Sequence, residues 1–147
     1  MPLKVERIKN GTVIDHIKPG NAFNVLKILG IDSNYDEAVA VMMNAKSKKF
    51  GKKDIVKIEN RTLEKKEIDK ISLISPHAKV NIIKNYEVVE KREVEIPDVI
   101  SDVLLCSNPD CISNHEEIKT KFYIASKTPL TLRCHYCERL VTMLKFK

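Results

Sequence analysis

Four cysteines stand in two close pairs near the C-terminus, Cys106 with Cys111 and Cys134 with Cys137. Cys-x4-Cys and Cys-x2-Cys delivered by two tight turns are the spacing that wraps four thiolates around one tetrahedral zinc. The segment around them carries few large apolar side chains, so a metal would supply stability that burial alone does not. The rival arrangement, two disulfides, fits poorly with a charged chain that opens Met1-Pro2-Leu3-Lys4-Val5-Glu6, with no apolar leader. Four thiolates close the coordination shell, which makes the ion structural and not catalytic. His115 and His135 lie close enough in sequence to stand in for one thiolate, but the shell is complete without them.

Other reactive groupings are sparse. Asp15-His16 could be an acid–base pair, yet neighbours on a strand point to opposite faces and do not readily serve one substrate atom. Lys52, Lys53, Lys57 and Lys91 could form a phosphate-binding field; Lys53 and Lys57, four apart on a strand, share a face. A solvated lysine surface is the plainer alternative. No nucleophile elbow, Walker-type loop or dinucleotide fingerprint occurs.

Composition bounds the partners. The 147 residues are 31% charged and 43% hydrophobic, with net charge +6. This suits one domain or two small ones and favours anionic partners, namely nucleic acid, free nucleotides or an acidic protein surface. Only 5% of residues are aromatic and Trp is absent, which weakens a base-stacking single-strand platform. No apolar run approaches the roughly 18–20 residues of a membrane span. The expected compartment is the cytoplasm.

The elements that must position these groups follow from local pattern. Asn10-Gly11 between Val5–Lys9 and Thr12–Ile17 predicts a hairpin turn. Asn21 is placed to cap a helix with Ala22, Val25, Leu26 and Leu29 on one face, ended by Gly30. Ala38–Ala45 reads as a strand, Lys46-Ser47-Lys48-Lys49-Phe50-Gly51-Lys52-Lys53 as a basic loop, and Asp54–Glu59 as a further strand. Thr62 is placed to cap a second helix bearing Ile68, Ile71 and Ile74, which Pro76 ends. Lys79–Asn85 and Tyr86–Val94 read as strands, separate or continuous. Helices falling between strands in this order predict an α+β chain: an N-terminal α/β sandwich, ferredoxin-like, with two helices on one face of a mainly antiparallel sheet. Ile96-Pro97-Asp98 is the expected linker, giving domains 1–96 and 97–147. Short strands at Val103–Leu105, Phe122–Ala125, Leu130–Arg133 and Leu140–Leu144 predict a small all-β zinc ribbon.

Gly11-Thr12-Val13-Ile14-Asp15-His16-Ile17, the run Gly51 to Asn60, the stretch Asn81 to Val89, and the cysteine quartet with Cys111-Ile112-Ser113 and Cys134-His135-Tyr136-Cys137-Glu138 occur together and in order. On these motifs the whole chain resembles the regulatory chains of aspartate carbamoyltransferase, which act in pyrimidine biosynthesis. The resemblance implies an allosteric domain that binds ATP, CTP or UTP and a zinc domain that grips the catalytic chain. It also implies pairing of regulatory chains through their allosteric domains, and no catalytic activity of the chain's own. Carried over residue by residue, the nucleotide site comprises Val5, Glu6, Ile8, Asp15, His16, Lys53, Lys57, Asn81, Ile83, Tyr86, Val88 and Lys91. In it, main-chain groups near Ile8 and Tyr86 read the base, Asp15 accepts from the ribose, and Lys53, Lys91 and His16 neutralise phosphates.

The metal ligands are Cys106, Cys111, Cys134 and Cys137, and the interface candidates are Asn108 and Glu116. Three positions, and the basic loop at 46–53, depart from the family pattern. Arg7 replaces a small residue and is expected to strengthen phosphate binding. Glu90 replaces glycine beside Lys91 and is expected to weaken it. Asp110 replaces asparagine and alters one contact with the catalytic chain. The alternative function is a zinc-ribbon protein binding nucleic acid, which would show steeply salt-dependent oligonucleotide affinity and no preference for free triphosphates.

Overall fold

Period-2 alternation places Ile14, Val56, Ile58 and Val80, each at most 1% exposed, on one face of a sheet. In the computed structural model, which describes residues 8–48 and 51–147, that sheet has five antiparallel strands. They are β1 (Gly11–Ile17), β2 (Val39–Ser47), β3 (Gly51–Glu59), β4 (Lys79–Lys84) and β5 (Glu87–Glu93), in the order β2-β3-β1-β4-β5. Helices α1 (Ala22–Ile28) and α2 (Lys65–Ile74) cover the apolar face, bringing Ala22, Val25 and Ile71 into one core with the strand residues. Each fully buried aliphatic side chain contributes about 1.5–3 kcal/mol. The other sheet face carries neither helix.

The helix ends depart from expectation. Asn21 makes no side-chain cap; instead the buried Asp54 carboxylate accepts from Gly20 N at 3.0 Å and Ala22 N at 3.1 Å, and from Asn44 N at 3.0 Å. An anion at the amino end of α1 answers its unsatisfied N–H groups better than a neutral amide. Helix α2 is capped by Glu64 in a reciprocal box with Glu67, and not by Thr62, whose predicted place lies upstream of the first turn. Gly30 does end α1, with φ of 70° and Ile31 N bonded to Leu26 O.

Two loop expectations fall as well. Residues 8–10 form no strand, and Gly11 enters β1 opposite both Glu59 and Ile83, where a Cβ would lie 2.1 Å from Ile58 O. Asn10-Gly11 therefore permits a close strand approach and is not the tip of a hairpin. The basic loop is partly strand, since Lys46 pairs with Lys52 and Ser47 with Gly51. Between β4 and β5, Asn85 and Tyr86 both take positive φ and make a two-residue turn, so the stretch is two strands.

The chain divides into two units, the first ending at Glu95 and the second beginning at Ile96. The second contains β6 (Val99–Ser101), β7 (Lys121–Lys127), β8 (Leu130–Cys134) and β9 (Leu140–Val141) in that spatial order, with a single 3-10 turn at Ile112–Asn114. Val103–Leu105 is not a strand: Leu104 makes one isolated bridge to Phe146, while β6 forms earlier against Phe122. Phe122, Ile100, Leu104 and Leu132 fill this small core. Among the described residues no helix is long and apolar enough to cross a membrane.

Candidate functional site

The four cysteine Sγ atoms all lie within 4.8 Å of one another. Cys106 and Cys137 are 3.7 Å apart, as are Cys111 and Cys134. A tetrahedral ion with metal–sulfur bonds of about 2.3 Å requires sulfurs about 3.75 Å apart, so the cluster has the dimensions of a zinc shell. The thiols are free. His135 is turned away, with Nδ1 2.9 Å from the Tyr123 hydroxyl, and His115 Nε2 meets Pro109 O at 2.8 Å. Neither joins the thiols.

The surroundings prepare the thiols unequally. Burial pushes the Cys106 thiol up to about 12, and burial likewise raises Cys134. At Cys137 burial also opposes ionisation, but Arg139 N–H, the Asn108 side chain and the neighbouring thiols outweigh it and bring the group to about 7. Zinc, when bound, supplies the charge that holds all four as thiolates. Asn108 thus supports a ligand, and its Oδ1 also accepts from Asp110 N at 3.1 Å, closing the turn between the first two cysteines. Glu116 is exposed just beyond the 3-10 turn, its N–H on Ile112 O.

On the first unit, register brings most of the expected nucleotide residues onto the face that carries neither α1 nor α2. Lys57 lies opposite Val13, Val13 opposite Asn81, and Asn81 opposite Lys91, a row across four strands. One step along, Ile83 lies opposite Gly11 and Val88. Asp15 projects on the same side and meets Lys53 Nζ at 3.0 Å. His16 sits at the bulge of β1, where Ile14 and Ile17 oppose Val56 and Asp54, with φ of 56°. The extra residue keeps both isoleucines in the core. It also folds His16 back, so that its N–H donates to Asp15 Oδ1 at 2.6 Å and its Nδ1 lies 3.5 Å from the same oxygen. The objection that adjacent strand residues diverge therefore does not hold at this bulge.

Ile8 is buried and Tyr86 is more than half exposed at the strand ends, but Tyr86 N–H is engaged by Lys9 O at 2.9 Å. Val5, Glu6 and Arg7 lie outside the described residues. Glu90 does not crowd Lys91. It stands opposite Ile82, on the other face of β5, and its carboxylate meets Arg92 Nε at 2.5 Å. Sequence reading missed Asp54 altogether; an acidic residue inside an otherwise apolar alternation was the available signal.

The allosteric-domain model of the aspartate carbamoyltransferase regulatory chain matches residues 3–95, and the metal-binding-domain model of the same chain matches residues 98–146. The chain belongs to this family of regulatory chains. Relatives bearing that name include those of Pyrococcus horikoshii, 54% identical over 93% of this chain and 91% of its own, and of Methanothrix thermoacetophila, 54% identical over 95% and 92%. The Thermococcus kodakarensis protein is 50% identical over 95% and 91%. The family is one of non-catalytic subunits whose second domain binds a metal, and the four thiols lie together as a site for one structural zinc.

Proposed function

We propose that residues 1–96 bind the nucleotide effectors ATP, CTP and UTP, and that residues 97–147, stiffened by zinc, pass the effect to catalytic chains. The observation that carries this reading is the row Lys57–Val13–Asn81–Lys91 on the sheet face that carries neither α1 nor α2. Val13, Ile83 and Val88 offer an apolar floor for a base; Asp15 accepts from ribose hydroxyls; Lys53, Lys57 and Lys91 supply donors for anionic oxygens. Asn108 and Glu116 stand on the surface assigned to the catalytic chain.

Pairing of two regulatory chains through the first unit has support in β2. It is an edge strand, and Val41, Met42 and Met43 are each exposed by more than a third. Unpaired strand edges with apolar side chains favour association.

The regulation is a coupling free energy between sites in different chains, of about 1–3 kcal/mol in usual cases. Only a nucleotide that binds the two states of the assembly unequally shifts their balance. The direct test is calorimetric titration of CTP and ATP. Lys57→Ala should weaken both roughly tenfold, the loss of one charge-assisted bond, with zinc content and binding to the catalytic chain unchanged. Unaltered affinities would sink the site assignment.

A further inference from the structure

An ion pair joins the two halves of the proposed site. Lys53 Nζ lies 3.0 Å from Asp15 Oδ1 and 3.3 Å from Oδ2, so the ammonium spans the carboxylate. Both side chains are about four-fifths shielded, 18% and 24% exposed, which protects the pair from solvent screening. The β1 bulge fixes Asp15 further, through the His16 N–H on Oδ1. Lys53 is held by a regular strand, with Asp54 buried beneath and anchored by three backbone N–H groups. Both backbones are anchored in this way, which leaves exchange to the side chains.

We infer that the Asp15–Lys53 pair is an exchange latch that makes the site selective for nucleotides rich in phosphate. It rests on the nucleotide reading above. Polyphosphate oxygens compete with Asp15 for Lys53. Once Lys53 turns to them, Asp15 is released to accept hydrogen bonds from the sugar hydroxyls. A nucleoside alone must instead share a carboxylate already spanned by an ammonium. Phosphate and nucleoside therefore bind with positive cooperativity even when they are separate molecules, because the first one breaks the pair that hinders the second.

The test uses the full chain and three probes: CTP, cytidine and inorganic tripolyphosphate. Cytidine should bind roughly three- to tenfold more tightly when tripolyphosphate is saturating, the range expected for releasing one shielded ion pair. Asp15→Asn should tighten tripolyphosphate by a similar factor and abolish its effect on cytidine. Removing a negative charge could by itself tighten an anion, so the cooperativity in the unaltered chain is the deciding readout. Equal cytidine affinity with and without tripolyphosphate, or no cytidine binding under either condition, would overturn the latch. If CTP still binds and Lys57→Ala still weakens it, the latch alone has failed. If CTP binding is absent or indifferent to Lys57→Ala, the nucleotide site itself has failed.

Discussion

Lys57 on β3 and Lys91 on β5 face the same side of the sheet, joined by Val13 and Asn81 in one cross-strand row. The residue next to Lys91, Glu90, faces the opposite side and is held by Arg92 at 2.5 Å. Chain adjacency is thus a poor guide to which charge a ligand on this face would feel.

That geometry separates two substitutions at neighbouring positions. Lys91→Ala should weaken CTP roughly tenfold, as expected for one charge-assisted contact. Glu90→Ala should leave CTP affinity within about twofold, since the sheet and its partner Arg92 shield it. Isothermal titration of the two variants checks the pair of outcomes. A gain in affinity for Glu90→Ala comparable to the loss for Lys91→Ala would mean that the two groups share one face.

Loss of one thiolate opens the zinc shell. Cys134→Ser should lose most of its metal, unfold the second unit and abolish co-purification with the catalytic chain, while the first unit keeps its helical signal. Metal analysis and circular dichroism report on each part. Full zinc content with normal co-purification would contradict a stapling role.

Metal binding must also displace protons. Burial raises Cys106 to about 12 and raises Cys134, so both are thiols at neutral pH in the metal-free chain, whereas Cys137, at about 7, is partly ionised. Zinc takes thiolates, so protons compete with it and affinity falls as pH falls. Zinc addition at pH 7 should release about two protons or more, measured as buffer-dependent binding enthalpy. Release of none would show that the thiols were already ionised.

Asp54 joins the start of α1 to the bulge of β2 through three backbone N–H groups. Asp54→Ala leaves those donors without their anion and should cost about 3 kcal/mol or more. Chemical denaturation followed on the first unit measures it. A cost below about 0.5 kcal/mol, the range of neutral surface changes, would mean that other acceptors replace it.

The helical spacing of Ala22, Val25, Leu26 and Leu29 and the order of helices among strands made the sandwich legible, because burial on one face writes a period into a helix. The cysteine spacing announced the metal for a similar reason, since four ligands must converge. What stayed hidden was set by tertiary partners. Asn21 looked like a cap because nothing local reveals Asp54 arriving from another strand. The bulge at His16 overturned a simple two-sided strand and brought Asp15 and His16 together. Val103 and Leu104 are apolar enough for a strand, yet β7 pairs with Val99–Ser101, leaving Leu104 only its bridge to Phe146.

The central claim is that a nucleotide bound to this chain changes how catalytic chains respond to aspartate. It is tested most directly by the aspartate saturation curve of the complex with its catalytic chain, with and without CTP. CTP should displace the curve for the unaltered complex and leave it in place when the regulatory chain carries Lys57→Ala. Superimposable curves with and without CTP in the unaltered complex, or equal displacement in the variant, would contradict it.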